Sequence, residues 1–367
     1  MTSTAAPILK YPQRQLGKNG PFVSAIGFGT MGIGTPWYGR TPTESDAFTA
    51  LSCAADRGVT FWDCADSYGQ SEKILSRWFA QTGRRADIFL ATKFGYTNLA
   101  APSTLTSSRP TPAPDSTPAY IRTALARSLE QLGTEYIDLY YQHRVDPTVP
   151  IEVVLETLRP FVDAGTIRWL GLSECSAATL CRAKAVPGIG AKIIAAQMEY
   201  SPFTLDIERS GFAQAAEELG VAVVAYSPLA RGMVAGAQRT LADFSPADAR
   251  LRLPRYSPAN FPKNLVLVDA LAAVGAKQGC SPAQVALAWI LAEHPGWVPI
   301  PASSTPARIL ENARSAEIVL SDEAVKEIRK LADDAEVAGA RMYGEGSEVV
   351  EGNCVEVGEW KGEEEDA

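Results

Sequence analysis

The chain has 367 residues, 46% hydrophobic and 21% charged, enough apolar material for a sizeable core. Its formal net charge of −8 and pI near 5.1 give no basic footprint for nucleic acid or an anionic membrane surface, although a local basic pocket stays open. No apolar run reaches the ~18 residues that a membrane-spanning helix needs, residues 1–15 lack the apolar stretch of a signal peptide, and the 6 cysteines form no CxxC pair, so a cytoplasmic protein with reduced thiols is expected.

From the N-terminus, the first strand-like run is 25–29. It leads into Gly27-Phe28-Gly29-Thr30-Met31-Gly32, which matches GxGxxG. In a dinucleotide fold the third glycine opens a helix that holds pyrophosphate. Here the helical period waits until Thr43, so the stretch reads as a flexible loop. Strand-like runs then recur at 60–63, 88–93, 137–142, 167–172, 193–198, 221–226 and 298–301. Helix-period segments lie between and after them at 43–57, 71–81, 119–132, 151–164, 176–185, 207–219, 281–292 and 307–313. Thr43 and Ser281-Pro282 are good helix starts, and Gly58, Gly133, Gly165 and Gly220 each close a helix before the next strand.

Eight strand–helix units in alternation predict an α/β protein with a parallel sheet covered by helices, and eight is the number that closes a (β/α)8 TIM barrel. The barrel is expected over 1–335 as one domain, with long loops after strands three and seven (98–118 and 230–262) and an acidic C-terminal tail, 336–367, that is partly disordered or covers the pocket. A doubly wound open sheet is the alternative. With only His143 and His294 available a three-histidine zinc site is impossible, and no metal is expected.

Polar residues fall where these strands end: Asp63, with Tyr68 in the following loop, Lys93, His143, Ser173 with Glu174, Gln197, Tyr226, and Ser303. In a parallel barrel these ends share one rim, where active sites sit. The run Phe61-Trp62-Asp63-Cys64-Ala65-Asp66-Ser67-Tyr68-Gly69-Gln70-Ser71-Glu72 resembles the first signature of the aldo-keto reductase family. IRWLGLSE at 167–174 resembles the second and IPASSTPARILEN at 300–312 the third. The likeness runs colinearly from about Gln15 to Lys330, and is greatest to the branch with aryl-alcohol dehydrogenases, pyridoxal reductases and potassium-channel β subunits.

The resemblance implies an NADPH-dependent reductase of a small carbonyl compound, with Tyr68 as proton donor, Lys93 and Asp63 as the ion pair beside it, and His143 orienting the substrate oxygen. A nearby ammonium is expected to lower the tyrosine from its ordinary pKa of about 10. The resemblance also implies that Tyr226 stacks on the nicotinamide, that Ser173, Glu174 and Gln197 bind its carboxamide, and that Ser227, Leu229 and Arg231 follow the pyrophosphate. Gly29 and Thr30 would line the cofactor from the other side. Ser303, Thr305 and Arg308 would take the 2′-phosphate, and Glu311 and Asn312 the adenine. Glu174 stands where relatives often have Asn, and Ala302 and Ser304 where they often have Lys or Arg, so NADH stays an alternative. Asp66 and Glu72 are read as helix-entry and structural groups.

Trp37, Tyr38 and Arg144 are candidates for the substrate wall, bordered by Phe94 and Tyr96, and suggest an aromatic or bulky apolar aldehyde or ketone. A monomer or homo-oligomer without nucleic-acid or membrane partners is expected. The rival functions are an NADPH-binding, redox-sensing regulatory subunit similar to channel β subunits, and a lyase or hydrolase on the same barrel.

Overall fold

The computed structural model describes residues 11–96, 113–342 and 351–362. Ten strands are present: β1 (Gln13–Gln15), β2 (Phe22–Ser24), β3 (Phe28–Gly29), β4 (Phe61–Asp63), β5 (Phe89–Phe94), β6 (Ile137–Gln142), β7 (Ile167–Ser173), β8 (Ile193–Glu199), β9 (Ala222–Tyr226) and β10 (Val298–Pro299). β3 to β10 form one parallel sheet in sequence order. Its edges meet: the Gly27 and Gly29 amides donate to Pro299 O (2.9 Å) and Pro301 O (3.2 Å), and Gly29 bridges Ala302. The sheet is therefore a closed barrel, not the open alternative. β10 is short because Pro299 and Pro301 have no N–H to give to a ladder, although their carbonyls still close the seam.

Strand side chains alternate, and the alternation divides the core in two. Phe61, Ala91, Leu139, Tyr141, Ala195, Val224, Val298 and Ile300 fill the lumen. Trp62, Leu90, Tyr140, Leu170, Leu172, Ala196 and Val223 face the helices. Two residues beyond the lumen side chains, on the same parity, stand Asp63, Lys93, His143, Gln197 and Tyr226, so the period that packs the barrel also aims these groups into its C-terminal mouth. The antiparallel β1–β2 hairpin, absent from the sequence expectation, places Leu16 and Val23 in the same lumen core.

The helices follow the expected positions with three differences. The segment 207–219 is two short helices, Asp206–Arg209 and Phe212–Glu218, broken where Gly211 adopts φ 78°. An 18-residue helix, Phe261–Gln278, follows the long insertion; it is too evenly apolar for a helical period to stand out. The GxGxxG stretch carries only a four-residue helix, Met31–Gly34, on a barrel loop. The insertion after β9 is ordered through short 3-10 turns and a Phe244–Tyr256–Phe261 cluster with ring centroids 5.6–5.7 Å apart. Most of 98–118 lies outside the described residues.

Part of the acidic tail is docked. Gly352 O accepts from Ser176 N (3.0 Å) and Thr179 Oγ1 (2.8 Å), and Arg182 holds the carbonyls of Cys354 and Val355. Among the described residues, no helix is long and apolar enough to cross a membrane, and no cluster of His, Cys, Asp and Glu could hold a metal ion.

Candidate active site

At the barrel's C-terminal mouth, Lys93 is fully buried. A buried ammonium needs a full set of acceptors, and this one has them. Its Nζ donates to Asp63 Oδ1 (2.6 Å), Cys64 O (2.7 Å) and Tyr68 Oη (3.3 Å). The second oxygen of Asp63 accepts from Gln197 Nε2 (2.7 Å). β4, β5 and β8 thus converge on one ion pair, with Tyr68 held on it from the loop after β4. The His143 ring packs edge-on against Tyr68 and Tyr96, with centroids 5.8 and 4.9 Å away, and its Nδ1 lies 3.4 Å from Ser67 Oγ.

Burial dominates the electrostatics. It holds the Tyr68 phenol well above its ordinary value, with Asp63 and Cys64 adding to the effect and Arg144 opposing it. The lowering expected from Lys93 does not appear, because that charge is matched by Asp63 at 2.6 Å. Burial also pushes His143 well below the usual imidazole range, reinforced by the Lys93 and Arg144 charges. Both rings are neutral near pH 7.

A cleft of about 530 Å³ runs from this group across the rim. Gly29, Gln197, Tyr226, Ser227, Leu229 and Arg231 line its inner part; Ser303, Thr305, Arg308, Glu311 and Asn312 line its outer part. Thr30, His143, Arg144, Ser173 and Glu174 are buried and do not line it. Thr30 is spent on Asp63 O through both its amide and its hydroxyl. Ser227, Ala230 and Arg231 adopt φ 48–56°, left-handed conformations rare for side-chain-bearing residues. They fold the chain after β9 sharply over the rim. Such strain is typically kept at ligand clamps.

The roof of the cleft joins two loops. Tyr38 bridges Asp248, and Ala249 N donates to Trp37 O (3.0 Å). Tyr38 lines the cleft beneath the Arg250 guanidinium, 4.9 Å from the ring centre, whereas Trp37 does not line it. Arg308 is exposed at the head of helix Pro306–Arg314, where the Ser303 hydroxyl accepts from Thr305 N.

Two features escape the sequence reading, and a third, Arg341, lies in the tail 336–367 expected to cover the pocket. Glu199, at the end of β8, is buried and lies 3.3 Å from Arg231 and 3.5 Å from Arg341. Its parity with Gln197 would have marked it as lumen-facing. Glu174 does not project freely into the cleft: it accepts from Glu199 N (3.0 Å) and pairs with Arg341 at 2.5 Å. Burial alone would raise its carboxyl, but Arg341 and Arg144 hold it below the usual range. Arg341, whose Nη1 also donates to Tyr226 Oη (3.4 Å), brings the chain beyond helix Asp322–Asp333 back over the mouth.

Comparison with known proteins agrees with this architecture. The model of the aldo/keto reductase family matches residues 25–333, and the chain belongs to that family. It is 44% identical over 336 residues to the aldo-keto reductase str7 of Strobilurus tenacellus, covering 90% of this chain and 94% of that one. It is 43% identical over 346 residues to the aldo-keto reductase yakc [NADP(+)] of Schizosaccharomyces pombe, covering 93% and 97%. A probable aldo-keto reductase 1 of Glycine max is 35% identical over 332 residues, covering 90% and 91%.

Proposed function

We propose that this chain is an NADPH-dependent carbonyl reductase that converts an aldehyde or ketone, aromatic or bulky and apolar, into the alcohol, with Tyr68 donating the proton. The carrying observation is the buried Asp63–Lys93–Tyr68 chain at the floor of the cleft. An ammonium has donors only, so the Tyr68 oxygen accepts from Lys93 and the tyrosine's own proton is left to point at a substrate oxygen. The raised pKa keeps that proton in place until charge builds on the oxygen.

His143 is neutral. If Ser67 donates to Nδ1, the imidazole proton sits on Nε2, free to donate to the same oxygen. Asp63 balances Lys93, and Gln197 fixes Asp63. The cofactor supplies a hydride to the carbonyl carbon when bound. The cleft suits such a dinucleotide: a glycine floor at Gly29, where a Cβ would stand 3.2 Å from Ala302 Cβ and Ile300 O; a tyrosine face at Tyr226; and a guanidinium at Arg308 for a phosphate. Yakc carries NADP(+) in its name, which supports NADPH for this chain.

The test is NADPH oxidation by the purified protein against aromatic aldehydes, with Tyr68→Phe in parallel. Turnover in the wild type and a loss of at least about 100-fold in the variant, with NADPH affinity kept, are expected for a lost general acid. Near-normal turnover by Tyr68→Phe overturns the proton assignment. Tight NADPH binding with no turnover of any carbonyl would favour a redox-sensing role.

A further inference from the structure

Four arginines around the mouth of the cleft have a carboxylate within reach. Arg231 faces Glu199 at 3.3 Å, Arg250 pairs with Asp248 at 2.7 Å, Arg255 lies 4.0 Å from Glu199, and Arg341 pairs with Glu174 at 2.5 Å. Arg144 differs. It is 8% exposed and forms no ion pair within 4.0 Å among the described residues. Among the described residues its hydrogen bonds run from Nη1, to the carbonyl of its neighbour His143 (2.8 Å) and to Ser173 Oγ (3.4 Å). Glu174 acts on it through space but is committed to Arg341. Among the described residues Nε and Nη2 thus make no hydrogen bond, and neither is a fully buried atom, although Arg144 does not itself line the cleft of about 530 Å³.

A guanidinium taken out of water is costly unless it is paired and hydrogen-bonded. Glu174 offsets part of that cost at a distance but forms no ion pair with Arg144, which leaves two donor nitrogens for an anion. Arg144 directly follows His143, whose ring packs on Tyr68, and its Nη1 reaches Ser173 at the end of β7, so it stands at the barrel mouth beside the proton donor. A planar fork with two unused donor nitrogens suits a carboxylate.

We propose that Arg144 is an anion-recognition residue and that the preferred carbonyl substrates carry a carboxylate near the reacting group. This rests on the reductase reading above and narrows its substrate class from bulky apolar carbonyls to acidic ones. The nicotinamide carboxamide is the competing occupant of these donors, and the test separates the two.

The experiment compares 2-, 3- and 4-carboxybenzaldehyde with their methyl esters, which keep the aryl aldehyde but remove the charge. The ester withdraws electrons more strongly than the carboxylate, so a preference for the acid runs against intrinsic reactivity. It uses the wild-type holoenzyme, Arg144→Gln and Arg144→Lys. At least one acid is expected to exceed its ester about tenfold in kcat/KM. Arg144→Gln should bring that ratio to about one, and Arg144→Lys should keep part of it. The dissociation constant of the matching (hydroxymethyl)benzoate for the NADP+ complex should follow the same order, which gives a readout free of turnover. Esters that match or beat all three acids overturn the proposal. So does an Arg144→Gln variant that loses acid and ester equally while its NADPH affinity falls, since that is the carboxamide role. If neither acids nor esters are reduced although NADPH binds, the reductase reading fails instead. The (hydroxymethyl)benzoate affinity still decides the anion site: binding no tighter than benzyl alcohol rejects it.

Discussion

Beside the catalytic group lies a second buried polar cluster. Asp66, two residues before Tyr68, accepts from Arg127 at 2.9 Å, and Thr92 donates to Glu72 at 2.7 Å. Asp66 Oδ1, Glu72 Oε2, Arg127 Nε, Ser128 Oγ and Tyr140 Oη are buried and make no hydrogen bond within 3.5 Å among the described residues. Burial pushes the Asp66 carboxyl up to about 6 and Glu72 up to about 7. A carboxyl whose folded pKa is raised stabilises the fold fully below its unfolded value, and that contribution is lost as pH rises through the folded value. For Glu72 the window runs from the ordinary glutamate value of 4.5 to about 7. Glu72→Gln should match the wild type at pH 5 and exceed it at pH 8 by on the order of 2–3 kcal/mol. Parallel melting-temperature curves across pH 5–8 would refute this. At the cofactor's outer end, Arg308→Ala should weaken NADPH about tenfold or more and leave NADH unchanged, as expected for a lost charge-assisted phosphate contact. Equal loss for both cofactors would place Arg308 elsewhere.

At the scale of elements, the glycine-rich helix Met31–Gly34 is a spacer against the Tyr68 loop. A Cβ on Gly34 would stand 2.1 Å from Ser71 Oγ, 2.3 Å from Ser71 N and 2.5 Å from Tyr68 O, and two of those atoms are backbone that cannot swing away. Gly69, at φ 59°, closes the same contact from the other side, and Gly34 O accepts from Gln70 N. Gly34→Ala should cost about 1–3 kcal/mol, as overpacking does, and should lower kcat more than it raises KM for NADPH, because Tyr68 is displaced. A variant with wild-type melting temperature and kcat would show that the loop can yield. The first two glycines of the GxGxxG match lie just before this helix: a Cβ on Gly27 would stand 2.7 Å from Ile300 Cγ2 and one on Gly29 3.2 Å from Ala302 Cβ, so the match reflects close packing at the barrel seam.

For the molecule as a whole, the chain beyond the barrel returns to the catalytic rim. Arg341 sits on Glu174 and Tyr226, and 351–362 is held at helix Ala177–Ala185. Arg182 is the main clamp: it pairs with Glu152 at 2.7 Å and donates to the carbonyls of Cys354 and Val355. Arg182→Ala should expose the tail to limited proteolysis and raise KM for the carbonyl severalfold, with NADPH affinity little changed. Unchanged cleavage and KM would show that the Gly352 contacts and the Val355 N–Pro147 O hydrogen bond suffice to anchor the tail.

Much of this was legible because its cause is local. Period-two alternation along each strand and glycine or serine punctuation between elements fix strand order, and parity alone sends Asp63, Lys93, His143, Gln197 and Tyr226 to one mouth. Other features have causes acting between residues far apart in the chain. The β1–β2 plug depends on Leu16 and Val23 finding the lumen, and helix Phe261–Gln278 is set by what covers it, since its own pattern is nearly uniform. Glu174 is bound by Arg341, 167 positions away. The phenol of Tyr68 is raised, where the nearby lysine suggested lowering, because desolvation belongs to the packed state and the lysine's charge had already met Asp63. The sequence by itself determined which side chains face the mouth. Only the tertiary structure decided which charges are paired there, and that the buried Arg144 makes no ion pair among the described residues, since Coulomb attraction and loss of water depend on distances that no spacing along the chain contains.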